Sequence, residues 1–291
     1  MSRRSPRIRQ EGIRVVPQRR DFLRSAAALI ACGFAPRAQG NERPRFGPFR
    51  VGLATYSLRA FPIDRAIELM QSLGIETVDL NPRHIPLTVD DQVIEQLGVN
   101  ATAHQLTILS YGVLYTFTKD HSANKRIFDF AKKLGVRNIT ANPSEDSFDS
   151  LDKLVAEYDI RIAIHNHGPG SSFDKVAEVL TAIKNRHPNI GACADLGHYL
   201  RSGEDPARAI ALLEGRLYGI HLKDFDAPRK EAKGRILGQG ILDVPAVFRA
   251  LKKANFPNDA CLSLEYEESE KDPIADIKQC LEVAAEAASQ V

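Results

Sequence analysis

The chain has 291 residues, 43% of them hydrophobic and 26% charged, which is ordinary for a globular protein and enough for one large domain. The net charge of +2 is uneven: Arg3, Arg4, Arg7, Arg9, Arg14, Arg19, Arg20 and Arg24 crowd the start, so the body is mildly acidic. No basic stripe interleaved with aromatics runs through that body, which argues against a nucleic-acid partner. The four cysteines, Cys32, Cys193, Cys261 and Cys280, lack C-x-x-C spacing, so neither a zinc ribbon nor a disulfide framework is expected.

Residues 1–40 read as an address. Gln18-Arg19-Arg20-Asp21-Phe22-Leu23-Arg24 has the form of a twin-arginine export pattern, and the apolar stretch Ala26 to Ala35 follows it. That stretch falls short of the roughly 20 residues a bilayer span takes, and no other segment is long and apolar enough. The expectation is export to the periplasm or outside the cell, with cleavage near Ala38 to Gly40. Leu29-Ile30-Ala31-Cys32 also reads as a lipobox, and its use would instead leave a lipid anchor on Cys32.

From 45 to 291 one domain is expected, in which short β-branched runs alternate with amphipathic ones. In chain order the expected strands are Val51–Tyr56, Glu76–Asn81, Leu106–Tyr111, Asn138–Asn142, Arg161–Asn166, Ile190–Asp195, Leu217–Lys223 and Cys261–Tyr266. Strands alternating with helices imply a parallel sheet. Between them Ser72-Leu73-Gly74-Ile75, Gln96-Leu97-Gly98-Val99 and Lys133-Leu134-Gly135-Val136 share one form. Each glycine is expected as a left-handed helix cap. Eight units over this length predict a (β/α)₈ TIM barrel. An open doubly wound sheet announces itself with a glycine-rich first turn, whereas here the first strand runs into Thr55-Tyr56-Ser57-Leu58. Cys193 and Cys261 fall in strand runs and are expected as buried apolar residues.

In such a barrel the chemistry sits at the C-terminal ends of the strands. Strands five to eight each end on a metal-capable side chain: His165, Asp195, His221 and Glu265. Four at one depth on one side of the mouth predict a site for a divalent metal ion of the Mn, Co, Mg, Fe or Zn type.

The runs Ile164-His165-Asn166-His167-Gly168, Asp195-Leu196-Gly197-His198, His221-Leu222-Lys223-Asp224, Leu237-Gly238-Gln239-Gly240 and Ser263-Leu264-Glu265-Tyr266 resemble, in order, the xylose isomerase-like TIM-barrel superfamily of sugar isomerases and epimerases. The resemblance covers about Phe49 to Val283. It implies metal binding by Asp195, His221 and Glu265, and substrate contact by His198. Where that family usually has a glutamate on strand five, this chain has His165. The resemblance further implies proton abstraction beside a carbonyl, through an enediolate that the ion stabilises. Glu265 is then the base, with His165, His167 and Lys223 as catalytic partners; Tyr56, Asn81 and His84 are expected against substrate, and Tyr111 and Asn142 on the same wall.

The expected function is that of a metal-dependent sugar isomerase/epimerase. The lost glutamate also suits elimination, as in an exported 3-keto-glycoside lyase or dehydratase, and a non-catalytic sugar-binding barrel is the third reading. The substrate expected is a small sugar or keto sugar, without phosphate. A repair nuclease of the endonuclease IV type would want more histidines and a basic face. A homodimer is compatible with the resemblance. His104, His121 and His187 have no ligand spacing, and the acidic run after Glu265 reads as a solvated loop.

Overall fold

The computed structural model describes residues 45–291, and the candidate leader, with its arginine pair and Cys32, lies outside the described residues. The chain runs β1 (Val51–Ala54), α1 (Ile63–Ser72), β2 (Thr77–Leu80), α2 (Asp91–Ala103), β3 (Thr107–Leu114), α3 (His121–Leu134), β4 (Asn138–Ala141), α4 (Phe148–Tyr158), β5 (Arg161–His165) and α5 (Val176–Ile183). It continues through β6 (Ile190–Asp195), α6 (Leu196–Arg201), α7 (Pro206–Leu212), β7 (Leu217–Leu222), β8 (Asp224–Phe225), β9 (Gly234–Arg235), α8 (Val244–Lys253), β10 (Cys261–Leu264) and α9 (Ile274–Ser289). All strands but β8 and β9 close into an eight-stranded parallel barrel, ordered β1-β10-β7-β6-β5-β4-β3-β2. This is the expected TIM barrel.

Period-two alternation sorts the strand residues. On β5, β6, β7 and β10 the residues Ile162, Ile164, Ala192, Ala194, Ile220, Leu222, Leu262 and Leu264 join the main apolar cluster between barrel and helices. The alternate set, Ala163, Cys193, Gly219 and Ser263, is aimed into the barrel, and its next members upward are His165, Asp195, His221 and Glu265. Packing of the helices thus fixes where those four side chains point. Cys193, Cys261 and Cys280 are buried free thiols.

Helix ends follow local chemistry. Asp120 caps α3 by accepting the Ala123 N–H at 3.0 Å, and Gly135 closes the helix in the left-handed region at φ +77°. Gly74 ends α1 in the same way at φ +71°. Gly98 departs from the expectation: it lies inside α2, on an exposed face, and the helix runs on to Ala103 before Gln105 turns left-handed. Nothing packs where its side chain would be, so the glycine costs some helix propensity without stopping the helix. The first strand is shorter than expected because Thr55–Leu58 turn into a 3₁₀ helix, which carries Tyr56. A further difference is the β8–β9 ribbon, which lies outside the eight expected strands. Among the described residues no helix is long and apolar enough to cross a membrane.

Candidate active site

Strand closure brings the four predicted ligands together. His165, Asp195, His221 and Glu265 are all buried, each with a ligand atom within 4.8 Å of the others. His165 Nε2 stands 3.1 Å from His221 Nδ1 and 3.6 Å from Asp195 Oδ2, while Glu265 Oε2 stands 3.2 Å from His221 Nδ1. His221 is turned by a residue the sequence reading missed: Asp79 Oδ2, from β2, lies 2.8 Å from its Nε2. A carboxylate holding the outer ring nitrogen leaves Nδ1 for the cluster, the usual support for a ligating histidine.

Asp195 does two jobs, as its place at a strand end allows. Its Oδ1 accepts the His198 N–H at 2.7 Å and caps α6, while its Oδ2 is buried without a hydrogen-bond partner. Asn166 fixes the strand end beneath, donating to the Asp195 carbonyl at 3.0 Å and accepting the Asp195 N–H at 2.8 Å. Two imidazole nitrogens and two carboxylate oxygens, one of them unsatisfied, fit a divalent cation.

Lys223 closes the cluster on the cavity side, with Nζ 2.7 Å from Glu265 Oε2, 3.4 Å from Asp195 Oδ2, and bonded to Glu267. Gly197 makes room for it, since a Cβ there would lie 2.8 Å from Lys223 Cγ. Burial opposes the Lys223 charge, but Asp195, Glu265 and Glu267 carry its pKa well above the usual lysine value. Burial likewise opposes ionisation of Glu265, and Lys223 and His221 override it, holding the carboxyl well below the usual range. Asp195 is also held low against burial, by His198 and Lys223. For His198 burial wins and lowers the pKa to about 2; for His167 burial, with His165 beside it, lowers it to about 4. Both rings are neutral near pH 7.

A cavity of about 280 Å³ opens above the cluster, lined by Tyr56, Asn81, His165, His167, His198, Lys223 and Glu265 as the sequence reading expected, and also by Pro82, Val113, Tyr115 and Glu267. His84 does not line it: its ring nitrogens face Thr55 Oγ1 at 3.1 Å and the Phe61 carbonyl at 3.2 Å, tying the loop after β2 to the turn after β1. Tyr111 faces the helices instead, against Phe130 of α3, its hydroxyl donating to the Ile85 carbonyl at 2.7 Å, and Asn142 reaches the His165 carbonyl at 3.4 Å. Glu267 corrects the solvated-loop reading of the acidic run, because its carboxylate meets Lys223. A larger cleft, about 950 Å³, lies along α4 and α5, but it gathers no buried titratable cluster, and chemistry rather than volume locates the site.

Fold and donor set together define a (β/α)₈ barrel with a buried cation-type site at its C-terminal mouth. The chain belongs to the xylose isomerase-like TIM barrel family, whose model matches residues 67–287. It is 28% identical over 144 residues to a 3-oxo-isoapionate decarboxylase of Pectobacterium atrosepticum, covering 44% of this chain and 51% of that protein. It is 25% identical over 146 residues to an inosose dehydratase of Erwinia tasmaniensis, covering 44% and 49%. The chain thus spans about half the length of these curated relatives. A solved structure from Parabacteroides distasonis is 29% identical, superimposes with a TM-score of 0.63, and is matched over 80% of this chain and 97% of its own.

Proposed function

We propose that this chain is a metal-dependent isomerase/epimerase that removes a proton from the carbon beside the carbonyl of a neutral sugar or keto sugar. The observation that carries this reading is the double membership of Glu265, which belongs to the donor cluster and to the cavity wall. His165, Asp195, His221 and Glu265 would hold the ion. When bound, a divalent ion polarises a carbonyl and stabilises the negative charge that builds on its oxygen.

The remaining work falls to the chain. Glu265 is ionised at neutral pH and takes the proton. His167, neutral and on the end of β5, approaches from a different part of the rim, since β7 and β6 stand between β10 and β5. As a neutral ring it holds no spare proton, so it passes one from cavity water to the opposite face of the substrate, and Glu265 releases the abstracted proton to solvent. His198 meets a substrate oxygen, and Tyr56 and Tyr115 bound the mouth. Glu265 and Glu267 balance the Lys223 charge, and among the described residues no other lysine or arginine lines this cavity, so a phosphate finds no unpaired cation there. A neutral substrate follows.

One observation favours a second reading, elimination. Among the described residues Lys223 carries the only ammonium in the wall and can protonate a departing oxygen, which removes the need for a second base. The relatives named as a decarboxylase and a dehydratase support that branch. Export by the twin-arginine route is part of the proposal and rests on the leader's sequence alone.

The test is incubation of the Mn²⁺-loaded protein with a 3-keto-glucoside in D₂O. Deuterium or inversion at the α-carbon marks the isomerase/epimerase, and released aglycone with an unsaturated keto sugar marks the lyase. Glu265→Gln at saturating Mn²⁺ is expected to slow either outcome by roughly 10²–10⁴-fold. Unchanged turnover in that variant would remove Glu265 as the base.

A further inference from the structure

Beside the reaction cavity lies a second chamber, of about 150 Å³, beneath the β8–β9 ribbon. The two share His198, Lys223, Glu265 and Glu267 in their linings, so they adjoin. An aromatic stack lines the second chamber. The Arg201 guanidinium lies 5.1 Å from the Phe225 ring, and the His198 ring stacks on Phe225 at 6.1 Å. Arg201 has room because residue 168 is glycine: a Cβ there would lie 2.9 Å from the guanidinium carbon. The glycine that ends the His-Asn-His-Gly run therefore serves this chamber.

Most charges in the lining are spoken for by an ion pair or, at Asp224, by backbone N–H groups; among the described residues Arg201 and Glu268 have neither. Lys223 pairs with Glu265 and Glu267, and Arg235 pairs with Asp226 at 2.9 Å. Asp224 accepts the N–H groups of Gly238, Gly240 and Leu242 at 2.9 to 3.0 Å. Arg201 donates to His198 Nδ1 at 3.2 Å and to the Lys230 carbonyl rather than to a carboxylate. Its Nε is buried without a partner. The chamber offers an aromatic face, unspent donor capacity and no surplus of positive charge. A space of about this size holds a benzene-sized ring.

We infer that this chamber is a substituent subsite. It takes an uncharged ring joined through oxygen to the sugar that reacts in the first cavity, and Lys223 in the shared wall meets the linking oxygen. The substrate class is then an O-substituted sugar rather than a free monosaccharide. The inference rests on the proposed reading only in placing the reacting sugar next door.

Calorimetric titration of the Mn²⁺-loaded protein with methyl glucoside, phenyl glucoside and a glucosyl-glucose disaccharide, each in both anomers, tests it with ligands that lack the reactive carbonyl. At least one ring-bearing glycoside is expected to bind ten times tighter than methyl glucoside. An aryl or a sugar ring is identified by whichever arm shows the gain. Ala232→Trp, which fills the chamber from the ribbon, is expected to erase that factor and leave methyl glucoside within twofold; Ala232→Leu is the milder filling should the first variant misfold. Equal affinities for all glycosides, no binding by any, or a preference that survives both fillings overturns the inference. Deuterium uptake by methyl 3-keto-glucoside, followed separately by NMR, reports on the proton-abstraction reading alone, so the two can fail independently.

Discussion

The two ends of the barrel treat charge differently. At the base, Asp259 pairs with Arg161 at 2.9 Å and Arg137 at 3.5 Å, Arg161 lies over the Tyr218 ring, and Tyr218 donates to the Pro188 carbonyl. These charged groups are partly exposed and have partners, whereas the neutral Thr77 Oγ1 and Asn138 Oδ1 at the same end have none. At the mouth the charged groups are buried, and Asp195 Oδ2, Asp79 Oδ1, His165 Nδ1 and His167 Nδ1 have no hydrogen-bond partner. Charged groups that only stabilise a fold end up paired, because a buried unsatisfied polar group costs about 1–3 kcal/mol. Groups that await a ligand stay open. The base is built for stability and the mouth for binding.

Substitutions at each end sharpen or break this contrast. The largest effect is expected from Asp195→Asn, which keeps an oxygen to cap α6 and loses the ligand charge. In the wild type, an ion at a hundred times its Kd adds about 2.7 kcal/mol of stability. Thermal melts with and without Mn²⁺ should show that gain vanish in the variant; an undiminished gain would place the ion elsewhere. Next comes Asp79→Asn, expected to weaken Mn²⁺ binding roughly 10–100-fold through His221, as measured by calorimetry. The contrast breaks if that affinity is unchanged.

The smallest effect belongs to the base. Asp259→Asn should cost about 1 kcal/mol or less, since its carboxylate is partly exposed. Burial pushes the Asp259 carboxyl up, but the Arg161 guanidinium holds it below the usual range. A pKa depressed in the folded state contributes stability above the unfolded carboxylate pKa and loses it as pH falls through the folded value. The difference in melting temperature between wild type and variant should therefore close on acidification into the range below the usual carboxylate pKa. Metal affinity should not move.

The contrast also explains what the sequence reveals. His165, Asp195, His221 and Glu265 are legible because each stands at the top of an apolar strand run, where alternation alone aims it inward. Asp79 is hidden within the run Thr77-Val78-Asp79-Leu80, and its partner His221 is 142 residues away, met only on barrel closure. Glu267 reads as one acid among several until the fold sets Lys223 beside it. Tyr115 escapes notice because β3 extends to Leu114, farther than its β-branched run suggests. His84 errs the other way: it follows a strand as a site residue would, but Thr55 in the 3₁₀ turn after β1 and Phe61 just beyond it supply its partners. The β8–β9 ribbon has only two residues on each side, too few for any alternation to register.

Asp195 joins the two kinds of polarity in one side chain. One oxygen holds the first turn of α6, and the other faces the ion site. Occupancy of such a site and order in α6 would therefore be thermodynamically coupled, and the coupling would run both ways. Amide hydrogens of Leu196–Arg201 should exchange more slowly as the ion loads. On the proposed readings, a substituent settling against His198 and Arg201 would tighten the grip on a bound ion from the far end of the same short helix, and metal affinity would then report on the second half of the substrate.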